Sequence, residues 1–193
     1  MASQPTFAQL VSLACHDLRT PLATASGFAH TLQRLEALEP PADRYVEMIG
    51  VASEQMTHLL DFLGAAARIE ADRYEPLTRE AETRSLVEAA IQPLGDAATV
   101  TGDGAPVRVD PRWAQTALGA LGECIRRHGA LTQVTYAVDG PEVSIGPVLE
   151  GVGAIVVGDD LRDFGSAVSM KVLAAMGAEI QLAHDRLVVR LPQ

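Results

Sequence analysis

The sequence predicts an α+β chain: an N-terminal antiparallel helical hairpin that completes a dimeric four-helix bundle, then a small α/β sandwich. Three observations predict it. Long apolar stripes with helical spacing fill the first third of the chain. Two adjacent prolines, Pro40 and Pro41, divide them. Past residue 76, short β-like runs alternate with helical ones. The expected domains are therefore 1–76 and 77–193.

Glycine is sparse in the hairpin, with only Gly27, Gly50 and Gly64 before residue 95. On the first arm Phe7, Val11, Ala14, Leu18, Leu22, Ala25, Ala29 and Leu32 recur every three or four residues. Glu39-Pro40-Pro41-Ala42-Asp43 ends the stripe, and Asp43 is the expected N-cap of the next helix. The second arm carries Tyr45, Ile49, Ala52, Met56, Leu59, Leu60, Leu63 and Ala67, and runs out near Tyr74-Glu75-Pro76. Arms of about 30 residues are roughly 45 Å long. One hairpin has too much apolar stripe to bury alone, so a second copy is expected to supply the rest.

In the second part, residues 86–94 read as a short helix and 107–109 as a strand entering a helix over 111–128. Strands over 133–138 and 142–148 flank a turn at Asp139-Gly140-Pro141. An apolar helix over 166–176 closes at Gly177. Strands over 179–183 and 187–191 form a last hairpin around His184-Asp185.

Composition narrows the function. The 193 residues are 48% apolar and 21% charged, which is ordinary for a folded protein and too apolar for disorder. A net charge of −10 argues against binding nucleic acid or anionic membrane by bulk attraction. The densest basic run is only Arg126-Arg127-His128. Aromatics at 4% supply little for base stacking. Cys15 and Cys124 lie far apart and suggest neither a disulfide framework nor a metal-ligand pattern, so no metal is expected. No run approaches the ~20 apolar residues of a membrane span, and Met1 to Gln9 lacks a basic, then apolar, leader. The expected location is the cytoplasm.

Chemistry concentrates in Cys15-His16-Asp17-Leu18-Arg19-Thr20-Pro21-Leu22. At about 100° per residue, His16 falls roughly 160° from the mean of the apolar stripe, so it should project into solvent. Asp17 beside it is suited to fix one imidazole nitrogen and leave the other as nucleophile. Thr20, one turn on, shares that face and is placed to orient a water or a phosphoryl oxygen. Pro21 removes one backbone hydrogen bond and should kink the helix next to the reactive residue.

This segment resembles the phospho-acceptor box of bacterial sensor histidine kinases, H-[DE]-[LF]-[RK]-[TS]-P-L. The resemblance implies that His16 accepts a phosphoryl group, with Asp17 and Thr20 as its catalytic neighbours and Arg19 as a receiver-docking residue. It extends along the chain. The hairpin resembles the family's dimerisation and phosphotransfer domain, and 77–193 resembles its ATP-binding domain. Residues 107–111 look like the approach to the helix with the family's asparagines; residues 173–180 and 187–192 look like its last helix and closing strands. The ATP chemistry departs from the pattern. Gly119 and Glu123 stand where asparagines are expected. Leu149 precedes Gly151-Val152-Gly153 where the adenine-binding element has an aspartate. The Gly-rich lid is reduced to Phe164-Gly165-Ser166-Ala167.

The resemblance therefore implies a histidine phosphotransfer protein that moves a phosphoryl group between His16 and aspartates of response-regulator receivers. ATP is not expected as a cofactor, and Mg²⁺ would come with the receiver. The implied partners are receivers and a second copy, with no nucleic acid and no membrane. Two alternatives stand beside it: an active histidine kinase with a divergent ATP site, and a non-catalytic pseudokinase adaptor or inhibitor. Asp159, Asp160 and Asp163 read as a solvated acidic loop. His30, His58, His128 and His184 read as structural or surface residues without partners at ligand spacing.

Overall fold

Residues 7–34, 38 and 40–193 are described by the structure, a computed structural model. Glu39 and the N-terminal stretch through Thr6 lie outside the described residues. The chain divides into two compact units, one ending at Arg73 and the other beginning at Tyr74.

The glycine-poor first third forms α1 (Phe7–Arg34, 28 residues) and α2 (Ala42–Glu70, 29 residues). α1 runs through Pro21 as one helix. The start of α2 corrects the expectation for Asp43. Pro41 takes the cap position, where a missing N–H costs nothing, and Asp43 lies in the first turn with its carboxylate on the Arg44 N–H at 2.6 Å. α2 also stops short of Tyr74, at Glu70, and the chain turns at Asp72 with φ +52°.

The hairpin carries two seams, and the buried one falls mostly on residues beside the predicted stripes, sharing only Ala29 and Ala67 with them. Cys15 and Ala29 of α1, with Val46, Ser53 and Phe62 of α2, are buried within the hairpin. The other seam is exposed in the single chain: Leu18, Phe28 and Leu32 on α1, and Tyr45, Ile49, Met56 and Leu59 on α2. Steps of ten and four residues on α1, and of four, seven and three on α2, keep these side chains on one broad face of each helix, as at a helix-bundle interface.

In the second unit β1 (Arg79–Glu82) pairs antiparallel with β3 (Pro106–Val109). Between them lie α3 (Thr83–Ile91), a 3-10 turn over Gln92–Ala97, and β2 (Ala98–Gly104). A five-stranded sheet has the order β2, β4 (Val134–Gly140), β5 (Glu142–Gly146), β7 (Arg186–Arg190), β6 (Glu179–Ala183). Only β2–β4 is parallel among these pairs. α4 (Pro111–His128) and α6 (Phe164–Ala175) pack on each other, and the short α5 (Val152–Val156) joins them. Leu118, Leu121 and Ile125 of α4, Tyr136 of β4, Ile145 of β5 and Leu187 of β7 are fully buried.

Carboxylates start these helices. Asp110 accepts from Trp113 N–H at the head of α4 and from Leu77 N–H at 3.0 Å. Glu82 caps α3 by accepting from Arg84 N–H (3.1 Å) and Ser85 N–H (2.7 Å). Burial alone would raise the Glu82 carboxyl, but the backbone bonds from Ser85 and Arg84 outweigh it and hold the group below its ordinary value. Gly104 makes room for this cap, since a Cβ there would meet Glu82 Oε1 at 1.7 Å. Glu82→Ala should cost about 1 kcal/mol at neutral pH. Because the folded-state pKa is depressed, that stabilisation is present above the unfolded value of about 4.3 and disappears as pH falls through the lower folded value. Urea titrations of both forms at pH 7 and pH 3 check this: the gap in midpoint should close in acid.

Candidate phosphotransfer site

Adjacent residues on α1 have opposite fates. Cys15 is 1% exposed, whereas the His16 side chain is 79% exposed. A rotation of about 100° per residue separates the hairpin interior from open solvent. His16 Nδ1 lies 3.1 Å from Asp17 Oδ1. A carboxylate only accepts, so this contact suits a proton on Nδ1, which in the neutral ring leaves the lone pair on Nε2. Thr20 is exposed one turn further, and its carbonyl accepts the Thr24 hydroxyl. Pro21 lies inside α1 and has no N–H to offer the Asp17 carbonyl one turn back.

Arg19 is placed differently from its neighbours. Three residues past His16, it sits roughly 60° round toward α2. There its guanidinium pairs with Asp61 Oδ1 at 2.8 Å, while 43% of the side chain remains exposed. Arg68 approaches the same spot across Gly64. This bridge ties the two arms together one turn from His16. Asp61 carries no local signal in the sequence, because its pairing with Arg19 spans 42 residues. His30 of α1 stands 4.0 Å from Glu54 of α2.

In the second unit, the positions matched to the nucleotide pattern serve packing. A Cβ at Gly119 would stand 2.8 Å from the Ala90 carbonyl oxygen, so α3 closes against α4 where an asparagine would need room. Glu123 has both carboxylate oxygens on Arg126, at 2.7 Å each. Leu149 is 45% exposed, and its carbonyl accepts the Val152 N–H. Gly151 has φ +81° at the entry to α5, a conformation suited to glycine. Gly153 lies against Leu182. The lid remnant is helix: Phe164 to Ala167 form the first turn of α6, and the Ser166 hydroxyl donates to the Val156 carbonyl at 2.6 Å.

Two expectations are corrected here. The three aspartates do not form one solvated cluster. Asp159 is exposed, Asp160 pairs with Arg162, and Asp163 is buried as the N-cap of α6. Its Oδ1 accepts from Ser166 N–H at 2.9 Å and its Oδ2 from Arg127 at 2.6 Å. Nor is His128 without partners at ligand spacing: Cys124, one turn earlier, and Asp163 meet it. The i, i+4 spacing of Cys124 and His128 was visible in the sequence, but Asp163 lies on another helix. His184 has φ +54° in the β6–β7 turn, as a turn residue.

Comparison with known proteins agrees with this architecture. Residues 8–72 match the His Kinase A (phospho-acceptor) domain. The histidine protein kinase DivJ of Caulobacter vibrioides is 35% identical over 82 residues, 41% of this chain. That match spans only 14% of DivJ. Among solved structures, the Acinetobacter baumannii histidine kinase AdeS superposes with a TM-score of 0.57 at 17% identity, covering 92% of this chain and 97% of that one. Full-length ShkA in complex with AMPPNP superposes with a TM-score of 0.62 at 18% identity, covering 97% of this chain and 46% of ShkA. Among the described residues no helix is long and apolar enough to cross a membrane. The sequence match thus identifies residues 8–72 as a His Kinase A (phospho-acceptor) domain, and over nearly its whole length the chain follows the fold seen in these histidine kinase structures.

Proposed function

We propose that the protein is a dimeric histidine phosphotransfer protein, loaded at His16 from a phosphorylated receiver and not from ATP. The observation that carries this is the pairing of an exposed His16, polarised by Asp17, with Gly119 packed against the Ala90 carbonyl. The first is what a docking receiver needs; the second leaves no asparagine to hold Mg²⁺ and phosphate. In the transfer, Nε2 of His16 attacks the phosphorus of an aspartyl phosphate. The N–P bond forms as the P–O bond to the aspartate breaks, and the carboxylate leaves on the receiver. Thr20 orients the phosphoryl group. The receiver's Mg²⁺ neutralises charge as it moves, so this chain contributes chiefly position. Arg19, half-exposed beside His16, offers the receiver a cation held in place by Asp61.

A kinase with its own ATP chemistry is the second reading, and ShkA, whose structure holds AMPPNP, favours it. Incubation with γ-labelled ATP and, separately, with a receiver phosphorylated by acetyl phosphate separates the two. Label on His16 from the receiver alone is expected. Label from ATP alone would establish the kinase, and label from neither would leave an adaptor.

The dimer is expected from the exposed seam on α1 and α2. Light scattering should give twice 20.4 kDa. Leu59→Asp, in that seam, should return the single-chain mass, because an unpaired carboxylate in a bundle interior costs several kcal/mol.

A further inference from the structure

Cys124 and His128 lie one turn apart on the same face of α4, and Asp163 heads α6 against them. Sγ, an imidazole nitrogen and a carboxylate oxygen lie within 4.8 Å of one another. Cys124 is 1% exposed and Asp163 7%. His128 Nε2 is 3.3 Å from Asp163 Oδ2, yet it is buried and makes no hydrogen bond. A buried ring nitrogen aimed at a carboxylate and a thiol without a bond of its own is a donor suited to a cation.

We propose that Cys124, His128 and Asp163 form a zinc site with one exchangeable fourth position, which staples the last turn of α4 to the head of α6. The donor set selects the metal. Thiolate, imidazole and carboxylate suit a borderline-soft tetrahedral ion, whereas Mg²⁺ and Ca²⁺ favour oxygen donors. Two ligands at i, i+4 come from one helix face and the third from a facing helix, so binding needs no backbone rearrangement within α4. The carboxylate is already oriented. Ser166 N–H holds Oδ1, an outer contact of the kind that fixes a ligating carboxylate, while Arg127 pairs with Oδ2. Arg127 is 58% exposed, so its guanidinium has room to turn aside as the cation arrives.

Coordination replaces the S–H bond of Cys124 with an S–Zn bond, and one proton per chain goes to solvent. No electron is transferred.

The test uses the full chain, reduced and stripped with EDTA, with Co²⁺ or Zn²⁺ alone as the probe. One Co²⁺ per chain is expected, with thiolate-to-metal charge-transfer absorption in the near ultraviolet and the visible bands of a tetrahedral ion. Cys124→Ser should remove the charge-transfer absorption, while Cys15→Ser leaves it unchanged. His128→Gln, at a partly exposed side chain, should weaken Zn²⁺ by more than the roughly 10–100-fold that loss of an outer contact costs. Zn²⁺ should raise the melting temperature of the wild type and not of His128→Gln. Absence of stoichiometric binding, or an unchanged affinity in His128→Gln, overturns the proposal even if Cys124→Ser fails to fold.

Discussion

His16→Ala should abolish phosphoryl labelling from a phosphorylated receiver and leave the hairpin folded. The side chain is 79% exposed and pairs with the neighbouring Asp17, so its removal opens no cavity. The helix tolerates alanine better than histidine. Circular dichroism and light scattering should therefore match the wild type, while the acid-labile phosphoryl label disappears. Asp17→Asn gives a smaller, graded effect. An ion pair this exposed is worth at most about 1 kcal/mol, or about a fivefold change in rate. Transfer should slow by that order and not stop. Persistent label in His16→Ala would move the acceptor elsewhere, and His30, His58, His128 and His184 would then need separate replacement.

The largest effect on stability is expected at Gly122. A Cβ there would fall 1.7 Å from Tyr136 Oη and 2.5 Å from Cζ. Tyr136 is fully buried on β4, and its hydroxyl donates to the Leu118 carbonyl at 3.0 Å. The ring cannot retreat without breaking that bond inside the core. Overpacking costs about 1–3 kcal/mol, and the stranded polar groups cost about as much again. Gly122→Ala should thus lower the melting temperature of the second unit by on the order of 10 °C or more. Tyr136→Phe removes the nearest atom of the clash. The double variant should be less destabilised than the sum of the singles, a coupling that calorimetry on all four proteins would detect. Additive losses would mean that the ring and the glycine do not meet.

The hairpin and its exposed histidine were legible in the sequence because their signals are local. Helical periodicity needs only one chain's spacing, and it placed His16 opposite the apolar stripe. The helix over 111–128 was legible for the same reason: Asp110-Pro111 opens it and its apolar face repeats every turn. Strands without alternation were not. β2, Ala98 to Gly104, has no apolar rhythm and is largely exposed. It is a strand because β4 offers it a parallel ladder, from Ala98 opposite Val134 to Gly104 opposite Gly140. β1 is Arg-Glu-Ala-Glu and is held by β3 in the same way.

By itself the sequence determined the two arms and the phospho-acceptor segment on the first of them, since each depends on residues within a few turns of one another. Tertiary structure alone decided what each residue touches. It put Arg19 on Asp61, set Gly119 against the Ala90 carbonyl, laid Tyr136 over Gly122, and brought Asp163 to Cys124 and His128. Each of these contacts joins residues on different elements, and their partners are chosen by the packing of helices and strands and not by spacing along the chain.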